Sequence, residues 1–395
     1  MFKIRKIAKE IYKKTFPVIY VKNCSQTLYE VLMFAINIYH SDKSDDNLKR
    51  INICVDNLIS IQRKDGGFDI GYDFYFGYYH RKGESTAPET LSVVALIRAF
   101  EITQDTQTKK AIDKGINWIV SNEEKVDKDR SYIPYGPYST RDIAVYNGTS
   151  FALASIAMWA KITNDNRLYS LSERLNRYLF DKLEFNNLGG YIRYNDPHEN
   201  TLPEDREKVD FYHLAQQAEM HYLSYKYTGD ETALKICEGF WQTIYTLYES
   251  GVVIPYLNNN QFDNQVHLWG YSSCIAAFLD AFEYYGNDKY SNAAFDIKNW
   301  IMDKAFESDY FYPVLNNEGT PLDRNFYPRS DAWVIASISK LKTHSPNMLD
   351  DSEYESIIAC YKRIEENEFS GKENHATTFF RFQLMKFVKG ILGSK

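Results

Sequence analysis

An all-α fold, six helical hairpins closed into an (α/α)6 toroid with short β-hairpins or irregular loops on one face, is predicted by three features of the 395-residue sequence. The first is a short polar connector that recurs at a spacing of about 60 residues. It reads Tyr39-His40-Ser41-Asp42, Ile102-Thr103-Gln104-Asp105, Ile162-Thr163-Asn164-Asp165, Tyr227-Thr228-Gly229-Asp230 and Tyr285-Gly286-Asn287-Asp288. The second is that an apolar, small-residue-rich segment precedes each connector and a more amphipathic one follows it. The third is a longer return connection rich in glycine, proline and aromatic residues.

The segments before the connectors, 27–39, 88–103, 147–163, 211–228 and 267–285, are apolar nearly all round, which marks helices buried on most sides. A sixth, 331–341, follows the same pattern with an irregular connector. Each connector aspartate is placed to accept the free N–H groups of the helix after it. The following segments, such as 108–122 and 231–249, have one polar face and suit an outer layer. The return connections carry Gly66-Gly67-Phe68, Ile133-Pro134-Tyr135, Gly189-Gly190-Tyr191, Ile254-Pro255-Tyr256 and Phe311-Tyr312-Pro313, which predict tight turns or short hairpins. No Pro/Gly/Ser linker divides the chain, so residues 1–395 read as one domain, with 375–388 closing the ring. An open solenoid of six helix pairs is the structural competitor, because repeats alone do not require closure.

Composition narrows the function classes. A net charge of -7 and a pI near 5.7 argue against general nucleic-acid binding, which needs a basic footprint. Aromatic residues make up 16% of the chain, with 32 tyrosines, enough to fill a core and still line a ligand groove. Five scattered cysteines without CxxC or metal-like Cys/His spacing read as reduced thiols of a cytoplasmic protein. No metal or cofactor is expected. No run of about 18 apolar residues predicts a spanning helix. Residues 1–22 read as a basic amphipathic helix, either packed on the ring or touching an anionic membrane surface or a partner enzyme through residues 1–20. They lack the apolar core and cleavage site of a secretory signal.

The architecture resembles the α/α-toroid superfamilies: six-hairpin glycosidase-like proteins, polysaccharide lyases, sugar epimerases, and the prenyltransferase and terpene-cyclase group. One local match is sharper. Gln62-Arg63-Lys64-Asp65-Gly66-Gly67-Phe68 is similar to the QxxDGGF element of isoprenoid cyclases and protein prenyltransferases, where the Gln and Asp tie an outer helix to the next turn. The chain holds one good copy and no DxDD-type motif, and Asp210-Phe211-Tyr212-His213 lacks a cysteine partner of the prenyltransferase zinc kind. The resemblance therefore implies a carbohydrate-active enzyme before an isoprenoid cyclase.

In such a ring the return connections and the N-termini of the inner helices share one face, where six helix dipoles favour anionic groups such as a carboxylated sugar. Polar residues there are the candidates. Glu84 and Glu89 lie at helix two, Asp142, Tyr146 and Asn147 at helix three, and Asp210, His213 and Gln217 at helix four. His267, Trp269 and Tyr271 begin helix five; Tyr327, Arg329, Asp331 and Trp333 begin helix six. Tyr72 and Tyr75 form an aromatic rim, and His375 and Arg381 are C-terminal contributors. Glu84, Glu89, Asp142 and Asp331 also suit plain helix capping. His213, Gln217 and His221 recur at i, i+4 and i+8, a polar stripe that is costly unless paired or wet.

These residues suit sugar chemistry in two ways. Hydrolysis needs two carboxylates, for which Glu84, Glu89, Asp142, Asp210 and Asp331 are available. β-Elimination or epimerisation needs a base and a cation beside an enolate, for which Tyr146, His213, His267 and Arg329 are available. The leading expectation is a carbohydrate-active enzyme acting on a polysaccharide or oligosaccharide containing uronic acid, in cell-envelope glycan biosynthesis. The alternatives are isoprenoid chemistry, which requires a dry greasy cavity, and a non-catalytic glycan-binding scaffold.

Overall fold

The computed structural model describes residues 24–368 apart from 73, 76–78, 137–143, 197–207, 252–255, 258–263 and 346–347. The helix read at 1–22, the closing segment 375–388 and the candidates Asp142, His375 and Arg381 lie outside the described residues, as does the side chain of Tyr75.

Among the described residues twelve α-helices alternate between an inner and an outer layer. The inner helices are α1 (Ser25–Ser41), α3 (Leu91–Thr103, entered through a 3-10 turn at Ala87–Thr90), α5 (Tyr146–Thr163), α7 (Phe211–Thr228), α9 (Leu268–Tyr285) and α11 (Pro328–His344). The outer helices are α2 (Asp45–Ser60), α4 (Thr106–Ser121), α6 (Asn166–Phe180), α8 (Glu231–Glu249), α10 (Asp288–Lys304) and α12 (Asp351–Glu368). Each inner helix packs on the next, and α11 returns to α1. Asn37 of α1 donates to the Ala336 carbonyl at 3.0 Å and to Ser339 Oγ at 3.1 Å. The ring is thus closed by helices at its two ends, which removes the open solenoid.

The connectors do the work the aspartates predict, with two corrections. Asp105, Asp165 and Asp230 cap α4, α6 and α8 by accepting backbone N–H groups at 2.7, 2.9 and 2.8 Å. Ser44, not Asp42, caps α2, and Asn287, not Asp288, caps α10. The capping role slides two residues on in the first case and one residue back in the second, to a neighbour able to accept.

Two-residue antiparallel hairpins stand in the return connections, for example Glu124–Lys125 with Ser131–Tyr132 and Glu184–Phe185 with Gly190–Tyr191. The QxxDGGF element is a staple. Gln62 Nε2 donates to the carbonyls of Gly66 and Ala111, both at 2.8 Å. Asp65 accepts from the Gly67 N–H at 3.0 Å and from Ser85 at 2.9 Å. Gly66 has φ +97°, and a Cβ there would sit 2.3 Å from the Lys114 carbonyl oxygen, so the turn requires glycine.

Candidate active site

Two short strands position the working residues at the face of the return connections. Val209–Asp210 pairs with Tyr256–Leu257, and Val266–His267 pairs with Val314–Leu315. The pairing holds Asp210 and His267 in extended backbone as the N-caps of α7 and α9. Asp210 Oδ1 accepts from the N–H groups of Tyr212 and His213 at 3.2 and 3.3 Å, while Oδ2 lies 2.6 Å from Nδ1 of His213. Burial pushes the Asp210 carboxyl upward, but the His213 and Lys208 charges and the helix N–H groups outweigh it and leave it below the usual carboxylate range. The carboxylate is ionised and orients the imidazole.

His267 stacks on Tyr212, with ring centroids 5.7 Å apart and planes at 27°. The Tyr212 hydroxyl accepts the His267 backbone N–H at 2.8 Å. That arrangement depends on Gly270, because a Cβ there would meet the Tyr212 ring at 1.9 Å. Burial lowers the His267 pKa, opposed by the charge of Asp210, so the imidazole is neutral at neutral pH and able to take a proton.

Trp269 is the hub. Its ring lies 5.1 Å from Tyr212, 5.7 Å from His213, 6.1 Å from Trp333 and 5.2 Å from the Arg329 guanidinium. Arg329 Nη1 donates to the Tyr72 hydroxyl at 3.3 Å. Across the ring Glu89 is 1% exposed; it accepts from Ser25 Oγ and, at 2.7 Å, from Gln26 Nε2. Burial raises its pKa, with those hydrogen bonds and the Arg329 charge opposing.

The other candidates are placed elsewhere. Asp331 is fully buried and accepts the Phe311 N–H at 2.9 Å, beneath the 310–311 strand and beside α12. Tyr271 turns outward onto Trp300 of α10, with centroids 5.4 Å apart. The Tyr146 hydroxyl donates to Asp196, and its ring packs on Tyr178 of α6. Gln217 accepts from Ser150 at 2.9 Å between α5 and α7, and the same serine meets His221 at 3.2 Å. The polar stripe therefore splits: His213 is at the site and Gln217 and His221 are in the helix interface, because each step of i+4 rotates about 40° around the helix. Asn147 is buried with its Oδ1 unpartnered, Tyr327 caps α11, and Glu84 is half-buried on the rim.

A second cavity, of about 170 Å³, opens on the opposite face. It holds Glu30, Glu219, Asp280 and Lys340. Lys340 Nζ donates to Glu219 at 2.8 Å and to Asp280 at 2.9 Å. The signal was available, since a charged residue inside an apolar inner helix must find a partner or water. Among the described residues no three His, Cys, Asp or Glu side chains converge as a metal ion would need.

No family model and no curated protein matches the sequence. Solved structures do match in fold. Cellobiose 2-epimerase from Spirochaeta thermophila superposes with TM-score 0.63 at 12% identity over 82% of this chain and 86% of that one. The α-1,6-mannanase GH76A of Salegentibacter sp. gives 0.62 at 14% over 81% and 89%. A D-mannose isomerase gives 0.60 at 10% over 81% and 87%. At this identity the likeness speaks for the fold alone, and with the closed double ring described above it makes the chain an α/α toroid.

Proposed function

We propose that this protein is a sugar-processing enzyme that moves a proton at a carbon next to a carbonyl or carboxyl group, as an epimerase or isomerase. The observation that carries the reading is the pair of imidazoles at the starts of adjacent inner helices. His213 is oriented by an ionised Asp210, and His267 is held neutral by burial. One imidazole would take the proton and the other supply it, while Arg329 faces the charge that develops between. Trp269 offers an apolar platform for the sugar ring.

One feature weighs against hydrolysis in the manner of the mannanase. That mannanase structure is of a variant inactivated by replacing two consecutive aspartates. Here consecutive aspartates occur at Asp45–Asp46 and Asp350–Asp351, at the starts of outer helices α2 and α12. The isoprenoid reading meets a lumen that carries Glu30, Glu219, Asp280 and Lys340, a wet surface where a greasy one is required. A role in building or trimming cell-envelope glycans is part of this reading, and a cytoplasmic place for it is supported by five unbridged, buried cysteines. No described helix is long and apolar enough to cross a membrane.

The test is incubation of the purified chain with aldoses, uronates and their oligosaccharides in D2O, followed by NMR. Loss of a ring C–H signal with appearance of an epimer is expected. New reducing ends or an unsaturated product without isotope exchange would assign hydrolysis or β-elimination instead.

A further inference from the structure

We infer that the sugar entering this site carries a carboxylate and that Arg329 binds it, an inference that rests on the proton-transfer reading above. The starting point is a cation without a counter-charge. Lys340, Lys298 and Arg174, the other cations held inside the fold, each lie within 2.9 Å of a carboxylate. Arg329 has no carboxylate within ion-pair distance among the described residues, and its Nε is buried without an acceptor. Its neighbours are the Tyr72 hydroxyl and the Trp269 ring, with Tyr29, Tyr327 and Cys24 around it. Glu89 is the nearby acid, but its two oxygens already accept from Ser25 and Gln26.

A half-buried guanidinium whose Nε is shut off from water without an acceptor is costly, and a fork of N–H donors matches the two oxygens of a carboxylate. Two further buried donors without acceptors stand where the Lys340 cavity reaches towards Trp269 and Arg329. The Tyr29 hydroxyl and Trp333 Nε1 belong to rings 5.5 Å apart, and Trp333 in turn touches Trp269. Orphaned donors around one cation ask for an acceptor-rich anion. A monoanion fits better than a phosphate dianion, because a single guanidinium beside Glu89 leaves a second negative charge uncompensated.

The same contact serves the reaction. In a hexuronate the C–H bond at C5 lies next to the carboxylate. That bond breaks as one imidazole takes the proton, and its electron pair moves into the carboxylate as an enediolate whose added charge faces Arg329. The pair returns to carbon as the second imidazole supplies a proton, so a C–H bond is re-formed, with no oxidant or reductant.

The experiment compares, by calorimetric titration of the full chain, a glucuronate disaccharide, its methyl ester and glucose 6-phosphate. The acid is expected to bind about 10–100-fold more tightly than the ester, the worth of a charged hydrogen-bonded pair. In Arg329→Gln that preference should fall to about twofold or less, with the melting temperature showing that the variant is folded. Equal affinity of acid and ester in the unaltered protein, tighter binding of the phosphate, no binding of the acid, or a preference that survives in folded Arg329→Gln would each overturn the inference. The acid–ester comparison needs no variant. Isotope exchange is scored separately: uronate binding through Arg329 without exchange defeats the epimerase reading and leaves the carboxylate site standing.

Discussion

The two ends of the lumen each half-bury a cation, and they treat it in opposite ways. On the short-turn side Lys340 is held by Glu219 and Asp280 at 2.8 and 2.9 Å. The desolvation of all three is offset within the protein, and the Lys340 pKa is raised because its carboxylate partners outweigh the effect of burial. On the return-connection side Arg329 has an aromatic face, one tyrosine hydroxyl and an Nε with no acceptor. A satisfied buried charge holds helices α7, α9 and α11 together. An unsatisfied one, at a face where helix N-termini converge, is built to be completed by something that arrives from outside.

Breaking each end should therefore show in different measurements. The largest effect is expected at the imidazoles: His213→Ala should lower kcat by about 10²–10⁴-fold in the isotope-exchange assay with little loss of stability. Unchanged kcat would remove His213 from the chemistry. Lys340→Met should do the reverse. It strands the buried Asp280 and the half-buried Glu219 and should cost about 2–4 kcal/mol in urea denaturation. Arg329→Gln, which strands no carboxylate, should change stability by less than about 1 kcal/mol. If the two variants cost the same, the contrast between the two ends is wrong.

A third prediction concerns pH. Burial drives His221 down to about 3, well below its unfolded value, so the unfolded chain binds a proton that the folded chain refuses. The sign follows: stability is full above about pH 6.5 and falls as pH drops towards 3, by up to about 1.4 kcal/mol per unit. His221→Gln should flatten that acid limb; an unchanged slope between pH 6 and 4 would show that His221 is not its source. A purely structural effect is expected at the staple. Gln62→Ala removes two hydrogen bonds to carbonyls and should cost about 1–3 kcal/mol, read as a drop in melting temperature without change in kcat.

How much of this was legible in the sequence differs between scaffold and site. Helix 211–228 has the bounds its residue pattern indicated, and 231–249 likewise, because apolar periodicity and an aspartate cap are local properties. The Gln62–Phe68 staple was readable for the same reason. The site was readable only as a neighbourhood. Asp210, His213, His267, Trp269 and Arg329 come together, while Asp331 and Tyr271, equally polar or aromatic and equally near helix starts, turn to the outer layer. Two residues along a helix is a rotation of about 200°, so proximity to an N-terminus does not say which way a side chain points.

The chain's own order of apolar and polar residues thus determined six hairpins, their caps and the face on which chemistry would be sought. Closure of the ring was decided by tertiary structure, through Asn37 meeting Ala336 and Ser339 some three hundred positions away. So was the fate of each buried charge. Lys340 and Arg329 look alike in sequence, a basic residue in an inner helix, and only the helices packed around them determine which finds carboxylates and which is left facing the lumen.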